Sequence, residues 1–167
     1  YAAVEGSSMY LKAGETLSLQ DTLYGLMLAS GNDAAVAIAG ECGGMTAFVG
    51  KMNAKAAELG LTDTHFDNPN GLPSDTHYTT AHELAKITAA ALKDPVFRQI
   101  VSTKSCTVSG HALSNHNRLL SMYDGAIGVK TGFTRAAGRC LVSAAERSGR
   151  TIIAVTLNDP NDWNDHM

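Results

Sequence analysis

The first part of the chain carries apolar side chains at the spacing of amphipathic helices. Apolar residues recur every three or four positions from Leu19 to Met27, and the sequence SLQD at positions 18–21 has the form of a capping box. This pattern predicts a helix from about Leu19 to Ala29.

Ser30 and Gly31 then interrupt the helical pattern. Asn32 is a favourable capping residue, and we expect it to begin a second short helix, Asp33 to Ala39, whose many alanines require close packing. The triplet S-G-N is therefore predicted to lie on a loop between two helices.

A third helix is predicted between Thr46, as its cap, and Gly60, as its stop signal. A long polar stretch rich in Asn, Asp, Pro and Gly follows at positions 61–80. We expect an ordered irregular loop there, and loops of this length inside compact domains usually carry function.

Two more capping signals follow the polar stretch. Thr80 and Glu83 have the spacing of a capping box, which predicts a fourth helix through about Leu92. Asp94-Pro95 then predicts one or two further helical turns.

Beyond residue 100 the pattern changes from the period of a helix to that of a strand. Segments 102–110 and 128–134 are typical of strands, and segment 138–159 is typical of two strands joined at Ser148-Gly149. The second half of the chain is therefore predicted to form a small antiparallel sheet.

Together these elements predict one domain of the α+β class, residues 1–167. We place its helical lobe at about 18–101 and its sheet-forming part at about 102–158. The chain starts without an initiator Met, and its last residues, NDWNDHM, have the form of a first helical turn. Both ends therefore look cut.

Composition limits the range of functions. The chain has 167 residues, 44% hydrophobic and 17% charged, with a net charge of -3 and a pI of about 6.0. Because it offers no basic stripe, a nucleic-acid partner is improbable, and small polar or peptide ligands fit better. Cys42, Cys106 and Cys140 are too scattered for a zinc site and are expected to be mostly buried small hydrophobes.

The sequence GVKTG at 128–132 is one candidate for chemistry. A glycine on an exposed strand lets a substrate backbone lie close to the strand edge, where a Cβ would block it. Lys130 and Thr131 would offer an ammonium and a hydroxyl to a substrate carboxylate. The structural alternative is a surface strand that happens to contain a lysine and a bend.

The second candidate is the S-G-N triplet. In a catalytic site, Ser30 would relay a proton and Asn32 would hold a substrate amide. The structural alternative is a helix stop at Gly31 followed by a helix cap, and the triplet alone does not decide between them.

In combination, the two triplets resemble the S-D-N and K-T-G motifs of penicillin-binding proteins and class A β-lactamases. The surrounding chain resembles the low-molecular-mass penicillin-binding proteins that are serine D-alanyl-D-alanine carboxypeptidases. The resemblance extends over nearly the whole chain and is carried by three stretches: GSSMYLKAGETLSLQDTLYGLMLASGNDAAVAIA, LGLTDTHFDNPNGL and DGAIGVKTGFTRAAGRCLVSAAERSGRTIIAV.

The resemblance implies roles for six residues. Ser30 and Asn32 match the second motif, and Lys130, Thr131 and Gly132 match the third. The backbone N–H of Phe133, after that glycine, is implied as a donor to the oxyanion hole.

The first motif of the family, S-x-x-K, supplies the acylating serine and its base. No Ser, Thr or Cys of this chain has a lysine three positions later. Ser8 and Lys12 are four positions apart, one too many. We therefore expect the nucleophile to lie upstream of Tyr1, on a helix that this chain lacks together with the first strands and the closing C-terminal helix of a β-lactamase/transpeptidase-like fold.

The implied activity is hydrolysis of the terminal D-Ala-D-Ala bond of peptidoglycan stem peptides through an acyl-enzyme, in peptidoglycan biosynthesis and the maintenance of cell shape. The resemblance implies no metal and no organic cofactor, β-lactam antibiotics as inhibitors, and an exported protein of the cell envelope. Any membrane contact would come from regions outside this chain, which by itself is expected to be inactive.

Alternatives remain at this stage. A class A-like β-lactamase needs a glutamate in an E-x-x-L-N stretch, and the nearest match, 58–62, ends in the wrong residue. A non-catalytic peptidoglycan-binding module would keep the cleft without the reaction. A P-loop would need a glycine where Val129 stands, and the histidine pairs 77/82 and 111/116 are five apart, a poor spacing for zinc.

Overall fold

The structure is a computed structural model that describes residues 4–167, so the first three residues of the predicted domain lie outside the described part. Seven helices and five strands follow one another in that part: α1 Leu19–Leu28, α2 Asn32–Glu41, α3 Met45–Glu58, α4 Ala81–Ala91, α5 Pro95–Ser102, β1 Ser105–Val108, β2 His111–Ser114, α6 Leu119–Met122, β3 Ala126–Thr134, β4 Gly138–Arg147, β5 Arg150–Leu157 and α7 Asp162–Asp165. The predicted α+β class is confirmed.

Helix starts agree with the local capping signals in three places. The side chain of Ser18 accepts a hydrogen bond from Asp21 N at the start of α1, and Asp94 caps α5 through Val96 N and Phe97 N. Thr80 caps α4 by accepting from Glu83 N. These bonds satisfy N–H groups that the first helical turn leaves without a partner.

The predicted cap of α3 is wrong. The helix begins at Met45, and Gly44, with φ at +91°, is its N-cap, so Thr46 already lies inside the helix. The left-handed backbone that glycine tolerates turns the chain into α3 without a side-chain cap. The helix ends at Glu58, just before the predicted stop at Gly60.

The strands form two separate antiparallel sheets. β3, β4 and β5 make a three-stranded meander in the order β3-β4-β5, as predicted for the second half of the chain. The hairpin of β1 and β2 is a second sheet, of which the predicted strand at 102–110 covers only β1. Each of its strands is only four residues long, too short for a clear period-2 pattern in the sequence.

Two apolar cores hold the helices and the sheets together. The first contains α1 and the β1–β2 hairpin, with Met9, Leu28 and Leu113 among its buried residues. The second lies between the main sheet and helices α4 and α5, around Val101, Val129, Val142 and Ala144.

Helix α5 belongs to both cores, because Ile100 packs in the first and the neighbouring Val101 in the second. The end of α1 is thereby fixed relative to strand β3. The hairpin residues assigned by sequence to the sheet-forming part pack instead with the helical core.

The cysteine prediction is wrong in one respect. Cys42, Cys106 and Cys140 are all free thiols, but each is only partly buried. Cys140 lies on β4 opposite Gly132, where the missing glycine side chain leaves it open.

Candidate active site

The turn between α1 and α2 places Ser30 at the surface of a cleft. Ser30 adopts a left-handed backbone, with φ at +57°, and Gly31 N donates to Gly25 O across the turn. This conformation is uncommon for a residue with a Cβ and is tolerated where the surroundings fix it. The chain reverses within two residues and starts α2 directly after the turn.

Asn32 does not cap α2, contrary to the prediction. It is the first residue of the helix, Gly31 is the N-cap, and no side chain caps this end. The Asn32 side chain is buried and turned toward the preceding segment, where its Nδ2 donates to Glu5 O at 2.7 Å. Asn32 N likewise donates to Ser7 O.

Asp33 anchors this turn to the N-terminal segment. Its fully buried carboxylate accepts hydrogen bonds from Met9 N, Leu11 N, Ala34 N and the Ser8 hydroxyl, at 2.7 to 3.0 Å. Burial raises the pKa of Asp33, but these bonds outweigh it and leave the pKa below its ordinary value. Ser8 therefore has a structural role in the fold.

Strand β3 brings Lys130 to the same place. Lys130 Nζ donates to Ser30 Oγ at 2.7 Å and to Thr131 O at 2.6 Å. The expected contact between the two motifs, 100 residues apart in the chain, is thus present. The ammonium has lost much of its hydration, and this desolvation lowers the pKa of Lys130 to about 8.

All six residues predicted from the two motifs line one cleft of about 580 Å³. They are Ser30, Asn32, Lys130, Thr131, Gly132 and Phe133. Lys12 lines a different surface pocket, and its N–H donates to Glu15. The stretch SSMYLK therefore does not bring its lysine to the cleft.

The edge of β3 forms one wall of this cleft. β3 is one of the two outer strands of the three-stranded sheet in the described part of the chain, so one of its backbone edges is available to an extended ligand. A Cβ built on Gly132 would make only ordinary contacts, 3.7 Å to Cys140 Cβ. The protein itself therefore leaves room for a side chain at Gly132.

Several cleft residues had no sequence signal specific enough to name them. His116 lines the cleft, its N–H donates to Leu28 O, and burial together with the charge of Lys130 lowers its pKa. Arg139 and Trp163 also line the cleft. One signal could have found Arg139: if β3 and β4 form a hairpin, pairing their residues outward from the turn places Arg139 opposite Phe133.

The long polar stretch contributes Asn70, Gly71 and Leu72 to the cleft, in line with the expectation that this loop is functional. Glu83 holds the start of the loop: its buried carboxylate accepts from Thr62 N, Asp63 N and Thr64 Oγ1. The predicted capping box is therefore only half formed, because Glu83 binds the loop and not the Thr80 N–H.

Three of the alternatives, the class A-like β-lactamase, the P-loop and the zinc site, lose their geometric support. Glu58 lies at the exposed end of α3 and pairs with Lys55. The chain after Lys130 continues as strand β3 to Thr134, where a P-loop requires a helix. Residues 4–167 contain no cluster of His, Cys, Asp or Glu that could hold a metal ion.

Comparison with known proteins identifies the family. The model of the D-alanyl-D-alanine carboxypeptidase family, peptidase S11, matches residues 2–161. The chain belongs to this family. Among curated relatives, it is 41% identical over 168 residues to a D-alanyl-D-alanine carboxypeptidase of a Streptomyces species, covering 90% of this chain and 58% of the relative.

A second relative, the D-alanyl-D-alanine carboxypeptidase DacB2 of Mycobacterium tuberculosis, is 44% identical over 153 residues, 88% of this chain and 53% of the relative. The chain thus spans little more than half the length of these S11 relatives.

Solved structures support the fold of the S11 chain. A serine-to-alanine mutant of a Streptomyces DD-transpeptidase superposes with a TM-score of 0.88 at 40% identity, covering 92% of this chain and 65% of that one. The D-alanyl-D-alanine carboxypeptidase of Mycobacterium tuberculosis gives a TM-score of 0.86 at 41% identity, covering 92% and 61%. The predicted transpeptidase-like fold is confirmed.

Proposed function

We propose that this S11 chain forms part of a serine D-alanyl-D-alanine carboxypeptidase that hydrolyses the terminal bond of peptidoglycan stem peptides. One observation carries the proposal: Lys130 and Ser30 meet at 2.7 Å in a cleft whose wall is the edge of β3. This arrangement combines a cation, a hydroxyl and a strand edge, which are the groups that an extended peptide with a terminal carboxylate requires.

In the proposed binding mode the peptide lies along β3, close to Gly132, with its terminal carboxylate near Lys130 and Thr131. The lysine supplies charge and the threonine a hydroxyl donor. Asn32 holds an amide of the peptide, and Phe133 N–H points to the carbonyl oxygen of the scissile bond. That N–H would stabilise the negative charge that develops on this oxygen during acylation.

The nucleophile in this proposal is the serine of an S-x-x-K motif outside the 167 residues. Its oxygen attacks the carbonyl carbon of the penultimate D-alanine, and its proton passes to the neighbouring lysine. The C–N bond then breaks, and the leaving amine takes up a proton through Ser30, which Lys130 orients. Water finally hydrolyses the ester, and these steps call for no metal or organic cofactor.

The same chemistry explains inhibition by β-lactams, which would acylate the same serine without rapid hydrolysis. Because peptidoglycan lies outside the cytoplasm, the proposal places the protein in the cell envelope after export. None of the helices in residues 4–167 has both the length and the apolar character needed to cross a membrane. Any contact with the membrane is assigned to regions beyond this chain.

Release of D-alanine tests the proposal. The whole protein that contains this chain should cleave a peptide ending in D-Ala-D-Ala, and Lys130→Ala should lower kcat/KM by about 100-fold or more, because it removes the cation beside the substrate carboxylate and the partner of Ser30. Lys12→Ala, which changes a lysine outside the cleft, is the matched control and should change little.

Equal losses from the two substitutions would contradict the assigned roles. Binding of the peptide without any release of D-alanine by the whole protein would indicate a peptidoglycan-binding module instead. Rapid turnover of a chromogenic cephalosporin would indicate a β-lactamase.

A further inference from the structure

We propose that a second pocket, outside the cleft, binds a phosphate monoester of a polyol. Residues of the β1–β2 hairpin and of α6 line this pocket, whose volume is about 420 Å³. That volume lies in the range of small-molecule sites. The pocket shares no lining residue with the cleft, so the inference goes beyond the proposed function and does not depend on it. The polar side chains that matter are those of Lys104, Ser105, Ser114, Asn117, Arg118 and Ser121.

The lining of this pocket carries positive charge without negative charge. Lys104 and Arg118 contribute to it, whereas no Asp or Glu does. Neither cation belongs to an ion pair in the described part of the chain. The chain as a whole has a net charge of -3, so the charge of the pocket is opposite in sign to that of the protein. An anionic ligand would supply the negative charge that the fold does not place there.

Asn117 adds a buried donor without a partner. The residue lines the pocket and is only 3% exposed, and its Oδ1 accepts a hydrogen bond from Leu119 N at 3.1 Å. This bond fixes the orientation of the amide, because a flipped amide would place Nδ2 against the Leu119 N–H. The Nδ2 atom has no hydrogen-bond partner within residues 4–167. A buried donor in this state costs stability, and an acceptor oxygen of a ligand would remove that cost.

Asn115 fixes the backbone around the pocket. Its Nδ2 donates to Val101 O at 3.2 Å and to Thr103 O at 3.0 Å, and its Oδ1 accepts from Asn117 N at 2.9 Å. Asn115 N donates to Lys104 O at 2.8 Å. These four bonds join the end of α5, the residue before β1 and the segment after β2. The donors of the pocket are thereby held in place before a ligand arrives, which lowers the entropy cost of binding.

Trp163 holds the side chain of Arg118. The guanidinium carbon lies 5.8 Å from the centre of the Trp163 ring, which is a cation–π distance. Such a contact orders the guanidinium but uses none of its N–H donors. Arg118 can therefore bind two oxygens of one phosphate at the same time, as the planar fork of an arginine does.

The number of donors favours a phosphate monoester over a carboxylate. An ammonium, a guanidinium and an amide converge on the pocket from separate parts of the chain, and a phosphate monoester offers three acceptor oxygens where a carboxylate offers two. Ser105 and Ser114 pair directly across the hairpin, so their side chains share one face, and Ser121 belongs to α6. Because hydroxyls both donate and accept, these serines suit the hydroxyl groups of a polyol.

Calorimetric titration of the whole protein with glycerol phosphate, in a phosphate-free buffer of low ionic strength, tests the inference. Glycerate, which carries a carboxylate in place of the phosphate, should bind at least about tenfold more weakly. Arg118→Gln removes the charge and the fork and should weaken glycerol phosphate binding by about tenfold or more. Ser114→Ala should weaken the binding of glycerol phosphate about threefold and that of inorganic phosphate by less than about twofold, because it removes a hydroxyl assigned to the polyol.

Arg150→Gln is the matched control, because it makes the same change of charge at an exposed position on β5, outside the pocket. It should change the affinity for glycerol phosphate by less than about twofold. In amide NMR spectra, the side-chain signals of Asn117 should move when inorganic phosphate is added to the wild type. Those signals should stay in place when acetate is added at the same ionic strength.

Vesicles of phosphatidylcholine with and without phosphatidic acid distinguish the two sources of such a phosphate. Binding to phosphatidic acid vesicles that Arg118→Gln abolishes would assign the pocket to a lipid head group, and binding of glycerol phosphate alone would assign it to a soluble ester.

Three results would overturn the inference: no binding of either form by the folded wild type, equal weakening by Arg118→Gln and Arg150→Gln, or glycerate binding as tight as that of glycerol phosphate. Equal losses of the two phosphates in Ser114→Ala would overturn the assignment of the polyol. If Arg118→Gln does not fold, Lys104→Gln is compared with Arg150→Gln in its place: weaker binding than in the control supports the inference, and equal binding overturns it.

Discussion

The ammonium of Lys130 lies where few lysines are stable in charged form. It is largely removed from water and is surrounded by the Ser30 hydroxyl and the Thr131 carbonyl, without a carboxylate among its hydrogen-bond partners in the described residues. Such a site binds an anionic ligand well because the ligand supplies the missing negative charge. Without such a ligand, the desolvated ammonium lowers the stability of the folded chain.

Replacing Lys130 with Met should therefore stabilise the chain at pH 7, with a rise in Tm of about 3 °C. The folded-state pKa of about 8 lies below the ordinary lysine pKa of 10.5, so the unfolded chain binds more protons between these values. Wild-type stability should thus rise with pH across that window, and the advantage of Lys130→Met should shrink.

Thermal unfolding at pH 7 and pH 10 measures both effects. Lys12→Met, at an exposed position, is the control and should show no such pH dependence. A Lys130→Met variant that is less stable than wild type at pH 7 would refute the idea that desolvation of the ammonium dominates.

The charge of Asp33, unlike that of Lys130, stabilises the fold. Its pKa is lowered in the folded state, so its contribution is present at neutral pH and is lost as pH falls through the lowered folded pKa. Asp33→Asn should destabilise the chain by about 3 kcal/mol at pH 7, because an amide nitrogen would face N–H donors that now bond to a carboxylate.

The stability difference between wild type and Asp33→Asn, measured by urea unfolding, should narrow in acid. Asp75→Asn, on the exposed surface of the long loop, is the matched control and should have little effect. A difference that stays constant down to low pH would show that the charge of Asp33 is irrelevant to its role.

At the scale of elements, the loop at 61–80 depends on α4. The carboxylate of Glu83 binds three groups at the start of that loop, and the loop brings Asn70 and Leu72 to the cleft. Glu83→Ala should therefore lower kcat/KM for the peptide by about tenfold in the whole protein, through misplacement of this wall.

Steady-state kinetics on one peptide measure the change, with Glu58→Ala as the control because Glu58 makes only an exposed ion pair with Lys55. Limited proteolysis of the loop should become faster in Glu83→Ala alone. Unchanged kinetics together with faster proteolysis would show that the loop is not part of the substrate site.

The elements that could be predicted are those whose signals are local. Caps at Ser18, Thr80 and Asp94 depend on neighbours three residues away or fewer, and the structure has them where the sequence places them. The N-cap of α3 at Gly44 depends on backbone conformation, and the separate β1–β2 hairpin depends on packing against α1. Neither leaves a clear pattern in the chain.

The residues of the candidate site also fall into those that the sequence could identify and those that it could not. The motif residues could be named because the family resemblance fixes their positions. The local role of Asn32 was misjudged, since its side chain bonds to Glu5, a segment that the helix pattern does not connect to it. Arg139 and His116 reach the cleft only through the register of β4 and the path of the chain after β2.

At the scale of the whole molecule, the chain supplies the walls of a cleft: a helical lobe with Ser30 on one side and the edge of β3 with Lys130 on the other. The S11 relatives are longer than this chain, which covers 58% and 53% of the two compared above. We propose that the acylating serine belongs to the remaining part and that Ser30 and Lys130 assist it.

Acylation by a fluorescent penicillin, located by intact-protein and peptide mass spectrometry, tests this division of roles most directly. A penicillin acylates a serine activated by a neighbouring base, and neither Ser30 nor Ser8 has a lysine three positions later. The 167 residues alone should gain no acyl mass, and the whole protein should gain one, on a serine followed three positions later by a lysine. An acyl group on Ser30 or Ser8 of the chain alone would contradict the roles proposed here.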